Sequence, residues 1–302
     1  MLLPKRAKII EVGLRDGLQN ESVYVATEDK LSLLHSLQQA GIAEFEASAF
    51  VHPRWIPALA DAEDFFGGIQ RKADVRYLAL VPNSRGFERA VRAGVDGVTL
   101  VVSASDSHNR SNLNRPTFET LDDFAGLTQA TKEAGVEVRG SVATAFGCPF
   151  EGTVPVKRVL DVVERFSSFG VRRVSLCDTI GVAYPNQVQE LFSSVLERFP
   201  DIHFEAHFHD TYGRGLANVF AALQAGIQTF DSSIAGLGGC PYAPGATGNV
   251  ATEDLVAMLS GMGIETGLDQ ELLFESVRLA EKLVGKPSAG RVMKAVACRN
   301  QH

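Results

Sequence analysis

HFEAHFHDTYGRGLANVFAALQAGIQTFDSSIAGLG, residues 203–238, holds the fold in miniature. HFEAHFHD (203–210) is a short run with strand character. GLANVFAALQAG (215–226) carries apolar residues at helical spacing and stops on Gly226, as helices commonly do. TFDSSIAGLG (229–238) is strand-like again. Strand, helix and strand joined this way form one βα unit, and the unit recurs along the chain. KIIEVGLRD (8–16), EFEASAF (44–50), RYLALVP (76–82), GVTLVVS (97–103), EVRGSVATAF (137–146) and RRVSLCD (172–178) complete eight strand candidates. EDKLSLLHSLQQAG (28–41) and SRGFERAVRAG (84–94) are helical between them. An AG or FG pair precedes several strands, at Gly41, Gly94, Gly135, Gly170 and Gly226, each read as a helix C-cap. No Pro/Ser-rich linker divides the chain. Near-continuous apolar strands alternating with helices mean a parallel sheet. Eight units in about 250 residues mean an α/β fold of the (β/α)8 TIM-barrel type. An open doubly wound sheet is the alternative, but its G-x-G-x-x-G fingerprint is missing after the first strand. We expect one catalytic domain, with the barrel over about residues 8–262 and additional C-terminal helices over about 263–302.

The bulk numbers bound the function. Of 302 residues, 45% are hydrophobic and 22% charged, an ordinary globular composition. The net charge of −7 argues against a nucleic-acid binder, which normally carries a basic face. No run approaches the roughly 18 apolar residues of a membrane span, and MLLPKRAKII is too short for a signal peptide. The four cysteines, Cys148, Cys177, Cys240 and Cys298, form no CxxC pair, so a zinc ribbon is not expected. Their scatter fits a reducing compartment, and a cytoplasmic enzyme is the reading.

Barrel enzymes place their chemistry at the C-terminal ends of strands. There the sequence puts Arg15 and Asp16 on strand 1, Glu46 on strand 2, Asp178 on strand 6, and His207 and His209 on strand 7. Strand 8 leads into a glycine-rich segment with Cys240 and Asn249. His207 and His209 lie two apart, so both point to the same side of their strand. Two converging imidazoles with Asp16 on a neighbouring strand suit a divalent metal better than a packing role. With Asn249 as a fourth ligand and open positions left, an octahedral ion fits better than tetrahedral Zn2+. Arg15 is either a salt bridge at a strand end or a cation that stabilises developing charge. Glu46 and Asp178 are either orienting groups or ion pairs at the barrel mouth. In AGLGGCPYAPGATGN (235–249), five of fifteen residues are Gly and two are Pro, which excludes helix interior and central strand. Cys240 therefore sits on a loop that we expect to be mobile, over the barrel mouth. Cys177, inside a strand, reads as core.

Together VGLRDGLQNE, GCPFEG, DTIGV, HFHDTYG and AGLGGCPYAPGATGNVATED closely resemble the 3-hydroxy-3-methylglutaryl-CoA lyases. These belong to a metal-dependent barrel group that includes isopropylmalate synthase-like enzymes. The resemblance runs from about Lys8 to Gly261. It implies that Asp16, His207, His209 and Asn249 hold a divalent cation, Mg2+ or Mn2+. It implies that Arg15 polarises a thioester carbonyl and that His207 shuttles a proton near the substrate hydroxyl. It implies that Cys240 closes over the substrate and helps proton transfer, and that Glu46, Asp178 and Glu253 shape the site. The implied substrate is an acyl-CoA thioester, the products acetyl-CoA and acetoacetate, the pathway leucine degradation, and the assembly a homo-dimer or higher homo-oligomer. Lys286, Arg291 and cations on the loops after strands 1 and 4 are candidates for coenzyme contacts.

The chain departs from the family pattern at several places. Leu14 stands where Pro is frequent, Ala49 where a hydroxyl residue is common, Phe208 where Cys often separates the two histidines, and Cys177 where Gly is usual. Arg110 and Arg115 are additional. A relative acting on citramalyl-CoA, a 2-oxoacid aldolase and a catalytically silent barrel are the competing readings. Every expected acid, base and ligand is present, which weighs against the last.

Overall fold

The computed structural model describes residues 3–239 and 248–299. Eight strands close into one parallel barrel in chain order, with β1 beside β8. They are β1 (Lys8–Glu11), β2 (Glu44–Ala49), β3 (Arg76–Leu80), β4 (Gly97–Ser103), β5 (Glu137–Ala143), β6 (Arg173–Asp178), β7 (His203–Phe208) and β8 (Thr229–Ser232). The helices around them are α1 (Thr27–Gln39), α2 (Ala62–Gly68), α3 (Ser84–Arg92), α4 (Asp106–Leu113), α5 (Thr117–Ala134), α6 (Val156–Ser168), α7 (Pro185–Arg198), α8 (Gly215–Ala225) and α9 (Thr252–Gly261). Two more, α10 (Gln270–Val284) and α11 (Arg291–Arg299), are the expected C-terminal addition. α10 packs on α1 and α9, and α11 on α9. No described helix is long and apolar enough to cross a membrane.

Each expected strand forms, and the five glycines read as C-caps all take φ between 68° and 105°, where a Cβ is costly. The first strand is shorter than expected. It ends at Glu11, and Gly13–Gly17 follows as a single π-helical turn, closed by Gly17 N–H donating to the Val12 carbonyl at 3.1 Å. Arg15 and Asp16 thus ride on a turn rather than on a strand end.

The strands also differ from the near-continuous apolar pattern. They alternate. Phe45, Val142, Val174, Leu176, Phe204 and Phe230 belong to the apolar core. Their neighbours are polar, and these meet one another across the barrel. Arg139 donates to Glu205 at 2.5 Å, to Asp231 at 2.6 Å and to Glu46 at 3.3 Å. Nearer the bottom, Arg173 donates to Glu44 at 2.6 Å, Glu137 at 2.7 Å and Glu205 at 2.8 Å. A buried guanidinium surrounded by carboxylates leaves few donors unpaired, and removing one partner from such a set costs about 3–5 kcal/mol.

Glu11 fastens the π-turn to β8. Its Oε1 accepts from Gly13 N–H at 2.7 Å and Ile234 N–H at 2.8 Å, and its Oε2 from the Thr252 hydroxyl at 2.7 Å. Burial pushes its carboxyl up to about 7 despite these bonds, and the charge of Glu253 adds to the rise. A raised acid is stabilising in its protonated form, so this contribution is complete below about pH 4.5 and is lost as pH rises towards 7. Glu11→Gln keeps an acceptor for both amides and a donor for Thr252. Urea unfolding across this range is expected to show the variant gaining on the parent by roughly 3 kcal/mol as pH rises. A constant difference between the two would refute the burial argument.

Candidate active site

The register of β7 on β8 sets His207 beside Asp231. Two residues on, His209 forms an isolated bridge with Asn249. That bridge needs close backbone approach. Gly238 takes φ 104°, and a Cβ there would lie 2.7 Å from the Asn249 amide nitrogen and 3.1 Å from the Asp16 carbonyl. A Cβ on Gly248 would collide with the Gly238 carbonyl. At these two positions glycine answers a steric demand rather than supplying motion. Cys240, placed on this segment by the sequence reading, lies outside the described residues.

Asp16, His207 and His209 converge as expected, their donor atoms all within 4.8 Å of one another. The two Nε2 atoms are 3.1 Å apart. Asp16 Oδ2 is 3.7 Å from His209 Nε2 and 3.9 Å from His207 Nε2. Both imidazoles are 6% exposed. Among the described residues, buried His209 Nδ1 and Asn249 Oδ1 have no hydrogen-bond partner. Two imidazole nitrogens and a carboxylate oxygen, facing inward at this spacing, fit a divalent cation with nitrogen and oxygen ligands. Asn249 differs from the expectation in one respect: it turns its amide nitrogen to Asp16 Oδ2 at 2.8 Å.

Charge is tightly organised around the cluster. The Arg15 guanidinium donates to Asp16 at 2.5 Å and is pinned on its other side by Glu46. Burial works to raise the Asp16 carboxyl, but Arg15 and the two imidazoles outweigh it and hold it well below the usual range. Burial and neighbouring His207 push His209 down to about 4. For His207 burial is outweighed by the hydrogen bond and charge of Asp231, so that imidazole is raised.

The other expected acids sit around this centre. Glu46 touches Arg15 and Arg139. Asp178 accepts from the Val182 and Ala183 amides at 2.9 and 3.0 Å, and burial lifts it to about 6. It fastens the turn after β6. Glu253 accepts from Ala235 N–H at 3.0 Å and the Ser288 hydroxyl at 2.7 Å, and burial lifts it to about 7. It ties the chain beyond α10 to the exit of β8. Cys177 is core, as expected, with burial pushing its thiol up to about 12. Cys148 is buried and donates to Ser105 at 2.9 Å, and Cys298 is exposed. Of the coenzyme candidates, Arg115 lines a cavity of about 400 Å3 with Pro82 and Asn83. Lys286 pairs with Glu21 at 2.7 Å, and Arg291 with Asp210 at 3.8 Å. Asp231, Arg139 and Glu11 were missed by the sequence reading, although a charge in mid-strand was visible in TFDSSI, EVRGSV and KIIEVG.

Known proteins resemble this chain in sequence and fold. The HMGL-like family model matches residues 6–280. Hydroxymethylglutaryl-CoA lyase YngG of Bacillus subtilis is 46% identical over 291 residues, 96% of this chain and 97% of that one. A crystal structure of the Bacillus subtilis HMG-CoA lyase superposes with a TM-score of 0.96 at 45% identity, covering 98% of this chain and 100% of that one. An HMG-CoA lyase from Acinetobacter baumannii, in complex with coenzyme A and 3-methylmalate, gives a TM-score of 0.93 at 39% identity, covering 98% and 96%.

Proposed function

The chain belongs to the HMGL-like family, and on that premise we propose that it cleaves 3-hydroxy-3-methylglutaryl-CoA to acetyl-CoA and acetoacetate. The observation that carries this reading is the convergence of Asp16, His207 and His209 beside Arg15 at the C-terminal end of the barrel. The substrate is a tertiary alcohol β to a thioester. Loss of the hydroxyl proton lets the C2–C3 electron pair move onto the thioester as an enolate, and the alcohol carbon becomes a ketone.

A divalent cation held by Asp16, His207 and His209, with Asn249 as a further ligand, supplies Lewis acidity that makes an alcohol oxygen easier to deprotonate. Mg2+ or Mn2+ suits a carboxylate, an amide and two imidazoles without thiolate. Arg15 carries five N–H donors. Three are spent on Asp16 and Glu46, and two remain for the enolate oxygen as charge develops on it. His207, with Nδ1 on Asp231, turns the Nε2 lone pair into the site, where it serves as ligand or takes the hydroxyl proton. Cys240 is assigned the protonation of the enolate carbon. Cys240→Ser should leave Mn2+ affinity unchanged and lower kcat on the order of 10²-fold; a fully active variant would remove the thiol from the chemistry. Glu46, Asp178 and Glu253 shape the site through Arg15 and the two loops they fasten. The resemblance further supports a cytoplasmic homo-dimer or larger homo-oligomer acting in leucine degradation, open to fractionation, sedimentation and growth on leucine.

The deciding experiment measures acetyl-CoA release with Mg2+ or Mn2+, offering 3-hydroxy-3-methylglutaryl-CoA beside citramalyl-CoA. Chelator-sensitive cleavage of the first supports the reading. Cleavage of the second alone would move the specificity, and cleavage of neither would overturn the lyase.

A further inference from the structure

Resting on that lyase reading, we propose that Asp231 is the positioning residue of the site, and that Arg139 is what requires an aspartate there. Asp231 stands between two hydrogen-bond donors. Its Oδ2 is 3.1 Å from His207 Nδ1, and its Oδ1 accepts from Arg139 Nη2 at 2.6 Å. Asp231 and His207 are paired residues of adjacent strands, so the contact is built into the barrel register and does not depend on a loop. The buried guanidinium 2.6 Å from Oδ1 is a permanent positive charge, and a carboxyl group held against it is kept ionised.

A neutral imidazole carries one N–H. An ionised carboxylate can only accept, so Asp231 draws that proton to Nδ1. The lone pair of His207 is then at Nε2, 3.1 Å from His209 Nε2 and 3.9 Å from Asp16 Oδ2. A ligand needs its lone pair there, and so does a base. Among the described residues His209 has no such orienting group, since its Nδ1 is buried without a hydrogen-bond partner. Among these residues the orientation of the pair is therefore imposed through His207.

Arg139 makes the aspartate irreplaceable even by its amide. Its side chain is 2% exposed and cannot lose its proton. In Asp231→Asn the one amide oxygen must face Arg139, because an NH2 there would meet a buried cation. The NH2 then faces His207 Nδ1, which has to accept. The imidazole proton is driven to Nε2 and points into the donor cluster. The same guanidinium reaches Glu46, whose other oxygen holds Arg15, so one buried fork stands behind both halves of the site.

The test labels histidine with 15N in the metal-free protein near pH 9.5, where imidazole is neutral. The His207 signals are identified by their loss in His207→Gln. The parent is expected to carry the His207 proton on Nδ1, and Asp231→Asn on Nε2. Mn2+ affinity of Asp231→Asn should fall 10–100-fold, with kcat falling more than KM changes. A proton on Nε2 in the parent overturns the proposal, and this result needs no variant at position 231 to fold. An unchanged tautomer and Mn2+ affinity in a folded Asp231→Asn overturns it as well. Neither readout uses substrate. A parent that releases no acetyl-CoA removes the lyase reading, while the tautomer alone judges Asp231.

Discussion

His209→Ala is expected to abolish the divalent-ion binding proposed for this site and to leave the fold standing. The expected loss is at least 100-fold in Mn2+ affinity and about 10³-fold in turnover. Three donor atoms converge in the site, and one of the two imidazoles is removed. Among the described residues the ring can be deleted without breaking a network, because its Nδ1 has no hydrogen bond and its Nε2 meets the neighbouring imidazole and Asp16. Its main structural cost is the cavity it leaves, about 1–3 kcal/mol. Lost turnover in a protein that still melts cooperatively thus reports on the ion. Metal content equal to that of the parent would remove His209 from the ligand set.

Arg15→Met is expected to give the opposite pattern, with Mn2+ retained within about tenfold and kcat lowered about 10³-fold. Methionine keeps much of the stem and removes the guanidinium. Asp16 loses its nearest cation, but its own contacts to Asn249 and the imidazoles remain. Glu46 keeps Arg139 on its other oxygen. What disappears is the pair of N–H donors left over for an enolate oxygen. Arg15→Lys restores the charge but not the fork, and should recover only part of the rate. Single-turnover kinetics on Mn2+-loaded protein decide the matter. A normal rate of C–C cleavage in Arg15→Met would end the enolate role.

The sequence shows the strands and helix ends clearly because those signals are local. The glycines before five of the strands mark αL caps, and HFHD marks a same-side histidine pair. The π-turn was invisible, since strand pattern and π-turn differ by where one amide bonds. KIIEVGLRD reads on as a strand for want of that contact. Asp231 and Arg139 escaped for another reason. Their roles depend on the lateral register of β8 on β7 and on contacts across the barrel, which no single segment encodes. Reading the strands as nearly apolar hid the clue. An Arg within EVRGSV and an Asp within TFDSSI are expensive in a buried strand unless they meet each other. Glu253 was visible as an acid near the site but not as a fastening for Ala235, because Ser288 comes from beyond α10.

The closing of the ring by β1 against β8 has a consequence for how the protein is made. Strand order follows chain order, so the first strand to leave the ribosome waits for the last to gain its second neighbour. Asp16 emerges long before His207, His209 and Asp231, and Arg15 long before the fork behind Glu46 is filled on every side. Asp16 follows β1 while His207 and His209 belong to β7 and the residue just after it, so the three donors meet only when distant parts of the chain are brought side by side. The seam between β1 and β8 is thus the place where the two ends of the chain are held against each other.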